Sequence, residues 1–145
     1  MKKRLLGVDF GLVRIGLAVS DPMQIIATPL GSIQGSKNPD RAAHNVAAEM
    51  NKKNLDIGQI IVGLPIHMNG TESERSTQAR AFASALEKLS GVPVRLFDER
   101  LTSVQAERLM KNANMTRKER ASFVDGVSST ILLQSFLDLQ GSTIS

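Results

Sequence analysis

The 145-residue sequence predicts an α/β fold, a five-stranded mixed β-sheet in which a three-strand antiparallel meander joins two parallel strands, with helices on both faces. Three observations carry this. The first third of the chain reads as apolar runs of strand length broken by short turns. From residue 38 onward, segments with helical spacing alternate with further runs of that kind. Among them, Ile60-Ile61-Val62 has no polar alternation, as befits an interior strand covered on both sides.

The elements follow in order. Residues 4–10 and 13–20 form the first two strands, with Gly11-Leu12 as the hairpin turn, and 24–33 extends the meander after Asp21-Pro22. Asn38-Pro39 opens a helix, Asn as cap and Pro in the first turn. Ala42, Ala43, Val46, Ala47 and Met50 give it an apolar stripe. Ile57 to Leu64 is the fourth strand and Pro65 to Gly70 a loop. Thr71-Glu72-Ser73-Glu74 matches a capping box, predicting a helix to about Ser90, ended by Gly91. The fifth strand, 92–98, leads to a second box, Thr102-Ser103-Val104-Gln105, and a helix to about Lys111. A last helix covers about 119–139, its apolar face formed by Val124, Val127, Ile131 and Leu132. Strands linked through helices run parallel and offer ligand sites at their carboxyl ends. With no repeat and no linker, residues 1–145 are expected to form one domain.

Composition narrows the chemistry. Eighteen Lys and Arg against fourteen Asp and Glu give a net charge of +4, a mild basic excess that favours polyanions. The absence of cysteine excludes disulfides and thiolate metal sites, and His44 and His67 are too few for the usual zinc sets. No stretch approaches the ~20 apolar residues of a membrane span. The basic lead Lys2-Lys3-Arg4 enters a run interrupted at once by Asp9, unlike a signal peptide. A cytoplasmic protein with no membrane partner is expected. Five Phe without Tyr or Trp leave few stacking platforms, so a nucleic acid would be held by backbone and shape.

Three acids stand out. Asp9 closes the run Leu5-Leu6-Gly7-Val8, Glu99 follows the fifth strand, and Asp125 lies in register with Ser128, Ser129 and Leu132 of the last helix. The strand-end rule puts Asp9 and Glu99 on one rim. Small residues at Gly126, Ser128 and Ser129 let the helix bring Asp125 close. Converging carboxylates are costly near a core unless a charge offsets them. A hard cation, Mg2+ or Mn2+, suits this donor set, and metal-assisted phosphodiester hydrolysis follows from it. Pleat alternation turns Asp98 away from Glu99, into a supporting role. Arg14 and Arg100 are candidate phosphate contacts, and Lys111, Arg117, Lys118 and Arg120, with only Glu119 among them, a candidate backbone clamp. Gly11 and Thr102 would frame the site. Gly63 and Gly70-Thr71 would either present amides to a phosphate or form a plain strand-to-helix loop.

Gly7-Val8-Asp9-Phe10-Gly11, Arg14-Ile15-Gly16-Leu17-Ala18-Val19-Ser20-Asp21, Val62-Gly63-Leu64-Pro65 with Asn69-Gly70-Thr71, and Asp98-Glu99-Arg100-Leu101-Thr102-Ser103 together resemble the signatures of the YqgF (RuvX) family, in order and over nearly the whole chain. The resemblance implies a ribonuclease H-like fold. It also implies a bacterial cytoplasmic nuclease proposed to trim the 5′ end of pre-16S rRNA, alongside ribosome-assembly particles, as a monomer or weak homodimer. Carried over by position, the family's acids fall on Asp9, Glu99 and Asp125. Related resolvases have an acid where this chain has Leu64-Pro65, and a further helix acid where it has Ser128 or Ser129. Two alternatives stay open: a Holliday junction resolvase acting on branched DNA, and a non-catalytic RNA-binding assembly factor.

Overall fold

The computed structural model describes residues 3–102 and 117–142, with side chains for 3–102 and 127–141. The elements are β1 (Arg4–Asp9), β2 (Arg14–Ser20), β3 (Ala27–Gln34), α1 (Pro39–Lys52), β4 (Ile57–Leu64), α2 (Glu74–Ser90), β5 (Val94–Asp98), a 3-10 turn (Glu99–Leu101) and α3 (Arg117–Ser142). The sheet order is β3-β2-β1-β4-β5. The first three strands pair antiparallel, while β4 runs parallel to both β1 and β5. Register pairs Val8 with Val62, and Leu64 with Asp98, so β1, β4 and β5 end together on one rim.

Pleat alternation divides the core between the faces of the sheet. Leu6, Val8, Ile60 and Val62 pack with Val46 of α1 and with Phe82 and Leu86 of α2. Leu5, Ala18, Ile61 and Phe97 pack with Leu132, Leu133, Phe136 and Leu137 of α3. Each of the Val, Leu, Ile and Phe side chains among them, fully buried, contributes roughly 1.5–3 kcal/mol by leaving water. Gly7 is what lets α3 lie so close to β1: a Cβ there would stand 2.7 Å from Leu133 Cβ and 3.1 Å from the Ser129 carbonyl oxygen. Among the described residues, no helix is long and apolar enough to cross a membrane.

Local chemistry explains where elements begin. Asn38 caps α1 as predicted, its Oδ1 accepting from the amides of Asp40 (2.9 Å) and Arg41 (3.3 Å). The start of α2 differs. Ser73, not Thr71, is its cap, and the Ser73 amide donates to Ser76 Oγ at 3.0 Å. Thr71 instead turns its amide and hydroxyl onto Asn69 Oδ1 (3.0 and 2.7 Å). Glu72 is held extended by a β-bridge to Ile66 and clasps Arg80 at 2.7 and 3.1 Å. Side-chain and bridge partners beyond the box therefore outcompete it and move the helix start to Glu74. Strand β3 begins at Ala27 rather than 24, because the Asp21 carboxylate accepts from Met23, Ile25 and Ile26 and folds that stretch into a loop. Helix α3 begins at Arg117 rather than about 119: Arg117 and Lys118 are good helix formers and extend the helix by two residues. The second capping box beyond Thr102, and its helix to Lys111, lie outside the described residues.

Candidate active site

Asp9 ends β1 and Glu99 follows β5, both half-buried. They share a cleft of about 370 Å³ with Arg75, Thr102, Ser128, Ile131 and Leu132. Two features of the chain shape it. Gly63, on β4 between the two acid-bearing strand ends, leaves room for the Glu99 side chain: a Cβ at 63 would meet Glu99 Oε1 at 2.7 Å and Cγ at 3.2 Å. The loop between β4 and α2 then delivers Arg75, in the first turn of α2, to the same cleft.

The electrostatics follow from that geometry. Burial pushes the Asp9 carboxyl above its ordinary value of 3.8, with Arg75 pulling the other way. Glu99 is pushed above 4.5 by burial first and then by the charge on Asp9, again opposed by Arg75. Both acids hold their protons more tightly folded than unfolded. Their joint contribution to stability is therefore greatest below the unfolded pKa values and declines as pH rises through the raised folded ones. Thermal melts in chelator should show this decline from acidic toward neutral pH, and Asp9→Asn should flatten it. A slope of the opposite sign in that window, unchanged in the variant, would contradict the assigned strain.

Two carboxylates that resist ionising side by side, with hydroxyls around them, form a hard oxygen donor set that fits Mg2+ or Mn2+. Among the described residues, no group of three His, Cys, Asp or Glu stands close enough to hold a metal, so the pair needs a further donor. Asp125 lies in α3 three residues before Ser128, which lines the cleft; its side chain is outside those described.

The other expected residues divide. Thr102 lines the cleft, and its amide and hydroxyl both donate to the Glu99 carbonyl oxygen (3.1 and 2.6 Å). Asp98 grips the Arg100 guanidinium (3.0–3.1 Å to Nε, 2.7 Å to Nη2) and its amide, which lowers the Asp98 pKa. Arg100 thus carries a carboxylate partner, and neither residue lines the cleft. Arg14 opens β2 on the exposed surface, away from the cleft lining. Gly11 shapes the β1–β2 turn, where a Cβ would strike the Arg14 carbonyl. Gly70 has φ +89°. Its amide is spent on the His67 carbonyl, and the Thr71 amide on Asn69, so neither amide is turned to a phosphate. Lys111 is outside the described residues. Arg117, Lys118 and Arg120 begin α3, with side chains outside those described.

Arg75 is not among the residues that the sequence singles out. The one available hint is a cation in a first helical turn, where the helix dipole disfavours it.

A family profile described as "RuvX: Holliday junction resolvase" matches residues 3–139. The chain belongs to the RuvX family. A RuvX relative from Protochlamydia amoebophila, named "Putative pre-16S rRNA nuclease", is 41% identical over 139 residues, covering 93% of each chain. One of the same name from Koribacter versatilis is 42% identical over 139 residues, covering 95% of this chain and 88% of its own. Both descriptions are of nucleases. Among solved structures, T. thermophilus RuvC in complex with a Holliday junction substrate superposes with a TM-score of 0.55 and 13% identity over 97% of each chain. That likeness shows the fold, a ribonuclease H-like mixed sheet with the expected antiparallel meander and two parallel strands.

Proposed function

We propose that this RuvX member is a metal-dependent nuclease that hydrolyses a phosphodiester of structured RNA, its substrate the 5′ region of a 16S rRNA precursor in the cytoplasm. The observation that carries the chemistry is the half-buried Asp9–Glu99 pair facing Arg75 in one cleft at the sheet rim. Asp9 and Glu99 would hold the cation, with Asp125 the third donor offered from α3. When bound, Mg2+ or Mn2+ supplies charge stabilisation at the phosphate and a more acidic water. Arg75 would meet the substrate phosphate and offset charge that builds there. Thr102 fixes the turn that presents Glu99, and Ile131 and Leu132 form the apolar side of the cleft. The names of the close relatives support RNA as substrate, whereas the family description favours a four-way DNA junction.

Incubating purified protein with a precursor 5′ RNA segment and with a four-way junction, in Mn2+ or in chelator, tests the reading. Metal-dependent cutting of the RNA is expected. Paired symmetric nicks in the junction alone would replace it with the resolvase. Tight RNA binding without any cutting would leave a non-catalytic assembly factor.

A further inference from the structure

A second, smaller cavity of about 170 Å³ shares Arg75 with the acid cleft. Its remaining walls are Phe10, Gly11, Leu12, Pro65, Gln78 and Ala79. We propose that this cavity is a base-binding subsite, which receives the nucleobase attached next to the phosphate that Arg75 meets beside the Asp9–Glu99 pair, with Gln78 reading the edge of that base.

Position is the first argument. Phe10 follows Asp9 directly in the chain, and Arg75 lines both spaces, so the two lie on either side of Arg75, one toward α3 and one toward α2. A nucleotide has that layout, with its base one sugar away from its phosphate. Size and lining are the second. Drug-sized ligands occupy clefts of about 300–1,000 Å³, and this cavity is smaller, suited to one flat ring system. Leu12, Pro65 and Ala79 supply apolar surface, and Phe10 an aromatic ring. That ring is stacked on the fully buried Phe82, with centroids 4.6 Å apart and planes 24° from parallel. A ring already fixed in place loses little freedom when a base packs on it.

The third argument is an unused amide. Gln78 lies three residues after Arg75 on α2, half-buried, and its side chain has no hydrogen-bond partner among the described residues. A carboxamide carries a donor and an acceptor side by side, the pattern that reads a base edge when bases are splayed from a strand. The scarcity of aromatics in this sequence favours recognition by backbone and shape; the Phe10 ring in this cavity departs from that.

The role next to the scissile phosphate rests on the nuclease reading, but base binding can be measured without turnover. The 15N-labelled full chain would be titrated in chelator with each of the four nucleoside 5′-monophosphates and with ribose 5-phosphate. Base-dependent shifts are expected at the amides of Gly11, Gln78 and Ala79, with the best base binding at least about fivefold tighter than ribose 5-phosphate, the low end of what base–aromatic stacking supplies. Gln78→Leu should erase the ranking among bases while ribose 5-phosphate binds as before. Equal binding of ribose 5-phosphate and the nucleotides, shifts confined to Asp9 and Glu99, or no shifts at all would overturn the subsite, whether or not the variant folds. Cutting of RNA without base-dependent shifts would sink the subsite and keep the nuclease. Base-dependent shifts in a protein that cuts nothing would do the reverse.

Discussion

Asp9→Asn should lower metal-dependent cleavage by about a thousandfold or more while the protein melts at the same temperature or higher. The loss follows from removing a ligand whose cation would supply several kcal/mol to the transition state, each 1.36 kcal/mol being tenfold in rate. The stability follows from the cleft itself. Burial makes the Asp9 charge costly, and that charge in turn raises Glu99. Asn has nearly the same shape without the charge, so the substitution relieves both. Catalytic acids placed at the expense of stability give this signature, whereas an acid that stabilises the fold gives the opposite one. Near-normal cleavage, or a clear fall in melting temperature at neutral pH, would contradict the role assigned to Asp9.

Gly63→Ala should cost at least about a hundredfold in activity with the fold retained. The added methyl would lie 2.7 Å from Glu99 Oε1, 3.2 Å from Cγ and 3.4 Å from Cδ. Such contacts cannot persist, and the group free to yield is the end of the Glu99 side chain rather than the ladder pairing Gly63 with Phe97. A carboxylate moved by about 1 Å is enough for losses of this size when geometry governs the reaction. Circular dichroism and a melt should look native beside a failed cleavage assay. Full activity would mean that Glu99 works from another position or does not take part.

Much of this was legible in the sequence because it depends on short-range rules. Helix-linked strands run parallel and end on one rim, which is why Asp9 and Glu99, ninety residues apart, could be placed together. Ile60-Ile61-Val62 signalled a strand buried on both faces, and Ile60 and Ile61 do belong to opposite cores. What stayed hidden depends on tertiary placement. Arg75 reaches the cleft only through the path of the loop before α2, which no periodicity encodes. Gly63 reads either as an amide presented to a phosphate or as part of a plain strand-to-helix loop, yet its lack of a side chain serves Glu99, a clearance visible only once β5 lies beside β4. The shift of the α2 cap from Thr71 to Ser73 has the same origin, a bridge and an ion pair made by Glu72. The Asp98–Arg100 pair is different: two residues apart across a tight turn, opposite charges could have been read as partners rather than as separate site candidates.

The most direct measurement is paramagnetic broadening of the 15N-labelled chain by substoichiometric Mn2+. Signals from Asp9, Gly63, Glu99, Thr102 and Ser128 should broaden first, Mg2+ should compete, and Asp9→Asn should abolish the effect. Broadening centred elsewhere, such as on the exposed Asp21 loop, or equal broadening in the variant, would contradict a metal-dependent site at the Asp9–Glu99 cleft.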